Sequence, residues 1–204
     1  MAYDNSHVWV VYNVLTAPQM TQVSDNIGWM YANGMYLIET KTSAGASASF
    51  DFTGIPATYS SLRLVYQLRS LKNSALDDYI RIRINADAGN NYYGYTIIHG
   101  YDNIALDAED IAQSSLNIES APGALATAGL TAAGEITFPF YAETTFHKIL
   151  RGIGYVGDTN ASGHQYSRDF SARWGSTAAI NEINLYLTTG NLTAGSKASL
   201  YGMH

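Results

Sequence analysis

Cysteine is absent from the 204 residues, which rules out a disulfide framework, a thiolate nucleophile and any cysteine-based zinc or iron–sulfur site. Charge is scarce as well. Lys, Arg, Asp and Glu together make up 14% of the chain, against roughly a quarter in an ordinary soluble domain. The few charges lean acidic, with a formal net charge of -6, and no stretch concentrates Lys or Arg. Nucleic acid, which demands a dense basic surface, is therefore excluded as a partner. No run approaches the ~18 apolar residues of a membrane span, and Met1-Ala2-Tyr3-Asp4-Asn5 has neither a basic n-region nor an apolar h-region. The expectation is a soluble chain that uses no signal peptide and touches no membrane.

Tyrosine, at 16 residues, is abundant where charge is not. A surface covered by Tyr, Ser, Thr and Asn suits a protein that packs against neighbours, because little charge repulsion holds copies apart. Aromatic side chains also bring large contact area at low entropic cost.

The hydrophobic period is two almost throughout. Leu62, Leu64, Tyr66 and Leu68 alternate with polar positions, as do Ile80, Ile82 and Ile84, then Ile136, Phe138 and Phe140, then Ile183, Leu185 and Leu187. Phe50 and Phe52 share a face, and Ile55-Pro56 ends that strand because Pro lacks the N–H a ladder needs. Asn85-Ala86-Asp87-Ala88-Gly89-Asn90-Asn91 is a turn cluster leading to a hairpin or corner, with Tyr92 to Ile98 as the next strand. Residues 147–156 and 166–174 read as two more strands. Ala198-Ser199-Leu200-Tyr201 reads as a closing strand that pairs with an earlier one. Residues 100–134, rich in Asp, Ser, Ala and Gly, read as a long surface loop in which only Leu116 and Ile118 hint at a strand. Nine or ten short strands separated by turns, with one helix in front, imply an all-β antiparallel sandwich of jelly-roll type.

The helix signal is local. Thr16 and Gln19 form a capping-box pattern, Pro18 falls in the first turn, and Met20, Val23, Ile27 and Met30 make one narrow stripe. Such a stripe either docks on its own domain or bundles with other copies, with Gly28 weakening the second. Before it, residues 8–15 are β-branched and aromatic enough to form an extended arm. The expected organisation is an arm and helix over residues 1–35, used for attachment or oligomerisation, and a sandwich over 36–204. The expected interface residues are Trp9, Tyr12, Met20, Val23, Ile27 and Met30, which would be costly to leave in water.

No enzyme signature emerges. His7, His99, His147, His164 and His204 lack metal-site spacing, and no catalytic triad can be read from scattered Ser, His and Asp. Asp102, Asp107, Glu109 and Asp110 could offer oxygen ligands to Ca²⁺, but lack the glycine and terminal glutamate of an EF-hand loop. The reading is therefore no cofactor and no metal. Tyr92, Tyr93, Tyr95, Tyr101, Tyr155, Tyr166 and Trp174 could form either a protein interface or a sugar-binding face.

Several segments carry a resemblance. Residues 50–64, containing Phe52-Thr53-Gly54-Ile55-Pro56-Ala57-Thr58-Tyr59, are followed by Ile80-Arg81-Ile82-Arg83-Ile84-Asn85. The chain ends with Ile180 to Gly202, including Gly190-Asn191-Leu192-Thr193-Ala194-Gly195-Ser196. In this order they resemble a domain common in structural proteins of tailed bacteriophages, and residues 15–27 look like the leader helix of many such proteins. The resemblance implies a virion protein made in the host cytoplasm and carried on the phage particle. It implies a capsid decoration protein that binds the major capsid protein or other virion proteins as a homotrimer, or alternatively a tail or fibre component that binds host-surface glycan.

Overall fold

The computed structural model describes residues 16–100, 104–157 and 166–204, with the side chains at 28–33, 104–111 and 166 outside that description. One helix, α1 (Ala17–Asn33), precedes twelve strands. These are β1 (Met35–Thr42), β2 (Ser49–Thr53), β3 (Ser61–Leu68), β4 (Asp77–Ile84), β5 (Tyr92–Gly100), β6 (Ile104–Gln113), β7 (Leu116–Pro122), β8 (Ala132–Pro139), β9 (Lys148–Val156), β10 (Tyr166–Trp174), β11 (Glu182–Leu187) and β12 (Lys197–Met203).

Two antiparallel sheets form a sandwich. One has the order β1-β12-β3-β8-β9-β10-β5-β6 and the other β2-β11-β4-β7. Eight of these strands, β1-β12-β3-β8 facing β2-β11-β4-β7, have the connectivity of a jelly roll. The other four are two insertions: β5 and β6 between β4 and β7, and β9 and β10 between β8 and β11. Both insertions add to the β8 edge of the first sheet, so the fold grows by widening one sheet. β7, at the rim of the smaller sheet, packs across β9, β10 and β5 and ties the extension to the core.

The alternating residues meet between the sheets. Leu62, Leu64, Leu68, Ile80, Ile82, Ile84, Ile136, Phe138, Ile183, Leu185 and Leu200 are all buried. The closing strand β12 lies between β1 and β3, pairing Leu200 with Leu64 and Met203 with Met35. The turn cluster at 85–91 is a corner, because β4 and β5 lie in different sheets. Asn85 and Ala86 have positive φ there, and Asn85 Oδ1 accepts the N–H groups of Asn181 and Glu182. Asn tolerates that left-handed backbone better than most residues.

The expected 100–134 loop is corrected. It contains β6 and β7, and β7 is a core strand with Ile118, Glu119, Ser120 and Ala121 buried. Among the described residues, 123–131 is the long stretch that remains as loop, gathered around Arg69, whose guanidinium donates to the carbonyls of Gly123, Ala126, Thr127 and Leu130 at 2.8–3.0 Å.

Candidate functional site

Of the six residues expected at an interface, Trp9 and Tyr12 lie outside the described residues, as does the side chain of Met30. The remaining three are on α1. Gln19 Oε1 accepts the Thr16 N–H at 2.9 Å, closing half of the capping box, while the Thr16 hydroxyl donates to the same oxygen at 3.0 Å. No strand packs extensively on the helix. Met20 is 53% exposed and Ile27 47%, with Val23 half-buried. Met20 and Ile27 thus keep about half of their surface open to solvent, with Val23 more covered.

The expected aromatic set divides between two places. Tyr92 and Trp174 are core residues. The Tyr92 hydroxyl donates to the Ile84 and Asp87 carbonyls, and the Trp174 indole donates to Asp87 Oδ2 at 2.7 Å. They contribute to no sugar face. Tyr93, Tyr95 and Tyr155 project from the outer face of the larger sheet, with Arg173 stacked 4.3 Å from the Tyr93 ring centre. Tyr101, and the side chain of Tyr166, lie outside the described residues.

That outer face follows from register. Glu135 on β8, Ile153 on β9 and Asp169 on β10 are directly paired, as are Thr137 with Arg151 and Arg151 with Ser171. Arg63 pairs with Glu135, and His99 Nε2 lies 3.2 Å from Asp169 Oδ2. Ile149 and Ile153 stand among these polar groups with about half their surface exposed. At the end of β8 the alternation fails. Phe140, expected to share the inner face with Ile136 and Phe138, has φ +48 and is 69% exposed. A positive φ at a non-glycine aromatic stops the strand and turns the ring outward. Phe146, across the same hairpin, is 77% exposed.

Two adjoining depressions share Pro139 and Ile149 and make one trough. The first, about 490 Å³, is walled by Phe140, Phe146, Glu143 and His147. The second, about 450 Å³, is floored by Ile149 and Ile153 and flanked by Glu135, Arg151 and Asp169. Sequence reading did not find it. Alternation assigns Ile149, Ile153 and Tyr155 to one face of β9, but it cannot tell which face the smaller sheet covers. Lys148, on the covered face, is the buried one.

A second unusual group lies inside. Glu119 from β7 meets Arg168 from β10 beneath the Tyr66 hydroxyl, and all three are buried. Directly paired Gly134 and Gly154 make the space. A Cβ on Gly154 would stand 2.6 Å from Glu119 Oε2 and 2.9 Å from the Tyr66 oxygen. Burial raises the Tyr66 hydroxyl well above its ordinary range and pushes the Glu119 carboxyl up to about 7, against the opposing pull of the Ser120 N–H and Arg168. The group is sealed from solvent, so it bears on stability.

Among the described residues no three His, Asp or Glu side chains are placed to hold a metal ion. The side chains of Asp102, Asp107, Glu109 and Asp110 lie outside the description, as do His7 and His164. His204 packs against Tyr36 and Tyr59, and His147 lies 3.3 Å from Arg173 Nη1. No helix is long and apolar enough to cross a membrane among the described residues.

No family model and no curated protein matches the chain. Among solved structures it is similar, at 10% identity and a TM-score of 0.34, to an engineered GH43 glycoside hydrolase described as having both endo-xylanase and exo-arabinofuranosidase activity. The match covers 81% of this chain and 36% of that one, so the chain spans about a third of that enzyme's length. So loose a likeness transfers neither fold nor activity.

Proposed function

We propose that this protein is a non-enzymatic structural component of a tailed-bacteriophage virion. In this reading it decorates the capsid as a homotrimer, contacting the major capsid protein or other virion proteins. The observation that carries the reading is the division of labour along the chain. The sandwich completes its core with β12 between β1 and β3, while α1 joins neither sheet and keeps Met20 and Ile27 about half exposed. An autonomous jelly roll with an adhesive leader is suited to attachment. The low charge and the exposed Phe, Ile and Tyr side chains suit extensive protein contact. Light scattering of the purified chain, followed by co-sedimentation with capsid shells that lack it, tests the reading. Trimers that bind shells are the expected result. A strict monomer at micromolar concentration that leaves shells bare would end it.

A second reading, a tail or fibre component that binds host-surface carbohydrate, draws on Tyr95 and Tyr155, both about half exposed on one sheet face. A glycan array separates the two. Binding abolished by Tyr95→Ala together with Tyr155→Ala would favour this second role, whereas a silent array with intact shell binding would remove it.

A further inference from the structure

Among the described residues, α1 and the outer face of the larger sheet each leave apolar side chains exposed. On α1, Met20, Val23 and Ile27 stand at positions i, i+3 and i+7, the anchor spacing of a helix laid into a groove. On the larger sheet, the trough offers Phe140, Phe146, Ile149 and Ile153. We propose that the trough of one copy receives α1 of a neighbouring copy.

Four observations select this occupant. The first is length. A helix of 17 residues spans roughly 25 Å at 1.5 Å per residue. The β9 segment from Ile149 to Tyr155 spans roughly 20 Å at 3.3 Å per residue, and the Phe140 and Phe146 hairpin extends it. The second is the shortness of the stripe. Met20 to Met30 covers fewer than two heptads, whereas a self-sustaining coiled coil needs about three or four. Gly28 further weakens a helix–helix seam, so the stripe needs a groove more than it needs copies of itself.

The third is charge. Glu135, Glu143 and Asp169 ring the trough with Arg151 and His147. Glu135 is paired with Arg63 and Asp169 with His99, so the rim is partly neutralised, and α1, whose one charged side chain is Asp25, brings little charge to be repelled. The fourth is placement. The start of β1, where α1 joins the sandwich, pairs with the end of β12. That strand end pairs with the start of β3, and the start of β3 pairs with Pro139 at the trough's edge, so helix root and trough lie at the same end of the larger sheet.

A helix-to-trough contact is heterologous, and a closed ring satisfies it: each copy gives one helix and takes one. Phe140, Phe146, Ile149 and Ile153 leave on the order of 400–500 Å² of apolar side chain wet, taking roughly 150–250 Å² for each fully exposed Phe. The helix that fills the trough buries a comparable area of its own, so one contact covers roughly 800–1,000 Å² in total, the low end for a specific interface, and in a closed ring every copy is held by two such contacts. The inference rests on the oligomeric part of the proposed function and names the surfaces that make it.

The absence of cysteine supplies the test. Full-length Ile27→Cys protein is mixed with full-length protein carrying Phe146→Cys or Ile153→Cys and a mass tag, and both are oxidised at micromolar concentration. Disulfide-linked dimers of unlike chains are the expected product. In sedimentation, Ile149→Glu with Ile153→Glu should weaken assembly at least tenfold with an unchanged β-type circular dichroism spectrum. Cross-linking of Ile27→Cys chains only to each other would assign the stripe to a helical bundle and overturn the proposal. So would an intrachain disulfide in a chain bearing both cysteines, the absence of any cross-link, or assembly that tolerates the double Glu variant. Shell binding is scored separately with unmodified protein, so loss of the trough contact can be told from loss of the virion role.

Discussion

Glu119 and Arg168 meet between the two sheets with the guanidinium Nε 3.6 Å from the carboxylate Oε1. Ion pairs so deep are poor stabilisers, because removing both charges from water costs about as much as their attraction returns. Their value here is as a tie between β7, in the smaller sheet, and β10, in the inserted part of the larger one.

The pair predicts a pH dependence. Burial pushes the Glu119 carboxyl from 4.5 up to about 7, so the native state holds that proton more tightly than the unfolded chain. The stabilisation is complete below pH 4.5 and is lost as pH rises through about 7. Relative to Glu119→Gln, which cannot titrate, the wild type should lose on the order of 2–3 kcal/mol between those limits, at 1.36 kcal/mol per pKa unit. Urea unfolding of both proteins from pH 4.5 to 8 measures it. A difference that stays constant with pH would show that Glu119 titrates as an exposed carboxylate does.

Asp78 should be the costliest polar residue to remove. It is 2% exposed and accepts from Ser70 Oγ at 3.0 Å, Thr189 Oγ1 at 3.0 Å and the Gly190 N–H at 2.7 Å. It thereby fastens the β3–β4 connection to the β11–β12 connection. Asp78→Ala leaves those donors without an acceptor, and each buried hydrogen bond to a charged group is worth about 1.5–3 kcal/mol. A loss of about 3 kcal/mol or more in denaturant unfolding is expected, with an unchanged m-value.

Arg69 makes a narrower prediction. Its guanidinium divides between four carbonyls of the 123–131 loop, a fork that a lysine ammonium cannot reproduce. Arg69→Lys should retain the charge and the fold while freeing the loop. Faster amide exchange and proteolysis confined to 123–131 is the expected signature. Protection equal to wild type would show that the loop holds itself.

What could be read from the residues and what could not divide along physical lines. Strands such as β3, β4 and β11 declare themselves because one face is apolar and the other polar, and that alternation is what a half-buried antiparallel strand requires. β7 was hidden because its buried residues include Glu119 and Ser120, whose partners come from strands far away in sequence. β6, whose sequence mixes Ile, Leu and Ala with Asp and Glu without a sustained period of two, joins the edge through backbone pairing to β5. The Thr16 cap and the α1 stripe were legible, being local. The trough was not: it depends on the end of β8 where Phe140 leaves the alternation at φ +48, and on which face the smaller sheet happens to cover.

The last prediction concerns deletion of residues 1–34. Of these residues, those whose side chains are described contribute nothing to the buried core. The Met35–Met203 pair and the packing of Tyr36 with Tyr59 and His204 begin after the deletion point, and the bond from the His204 N–H to the Gly34 carbonyl is a long 3.4 Å. The stripe residues Met20 and Ile27 are about half exposed, so removing them takes little buried apolar surface from the chain. The truncated chain should therefore keep the β-type circular dichroism spectrum and a cooperative thermal transition within a few degrees of the full chain, a shift of about 1 kcal/mol or less for a domain of this size. It should sediment as a monomer and leave capsid shells bare. Collapse of the β signal would show that the leader belongs to the core, and shell binding at full strength would place the anchoring surface on the sandwich itself.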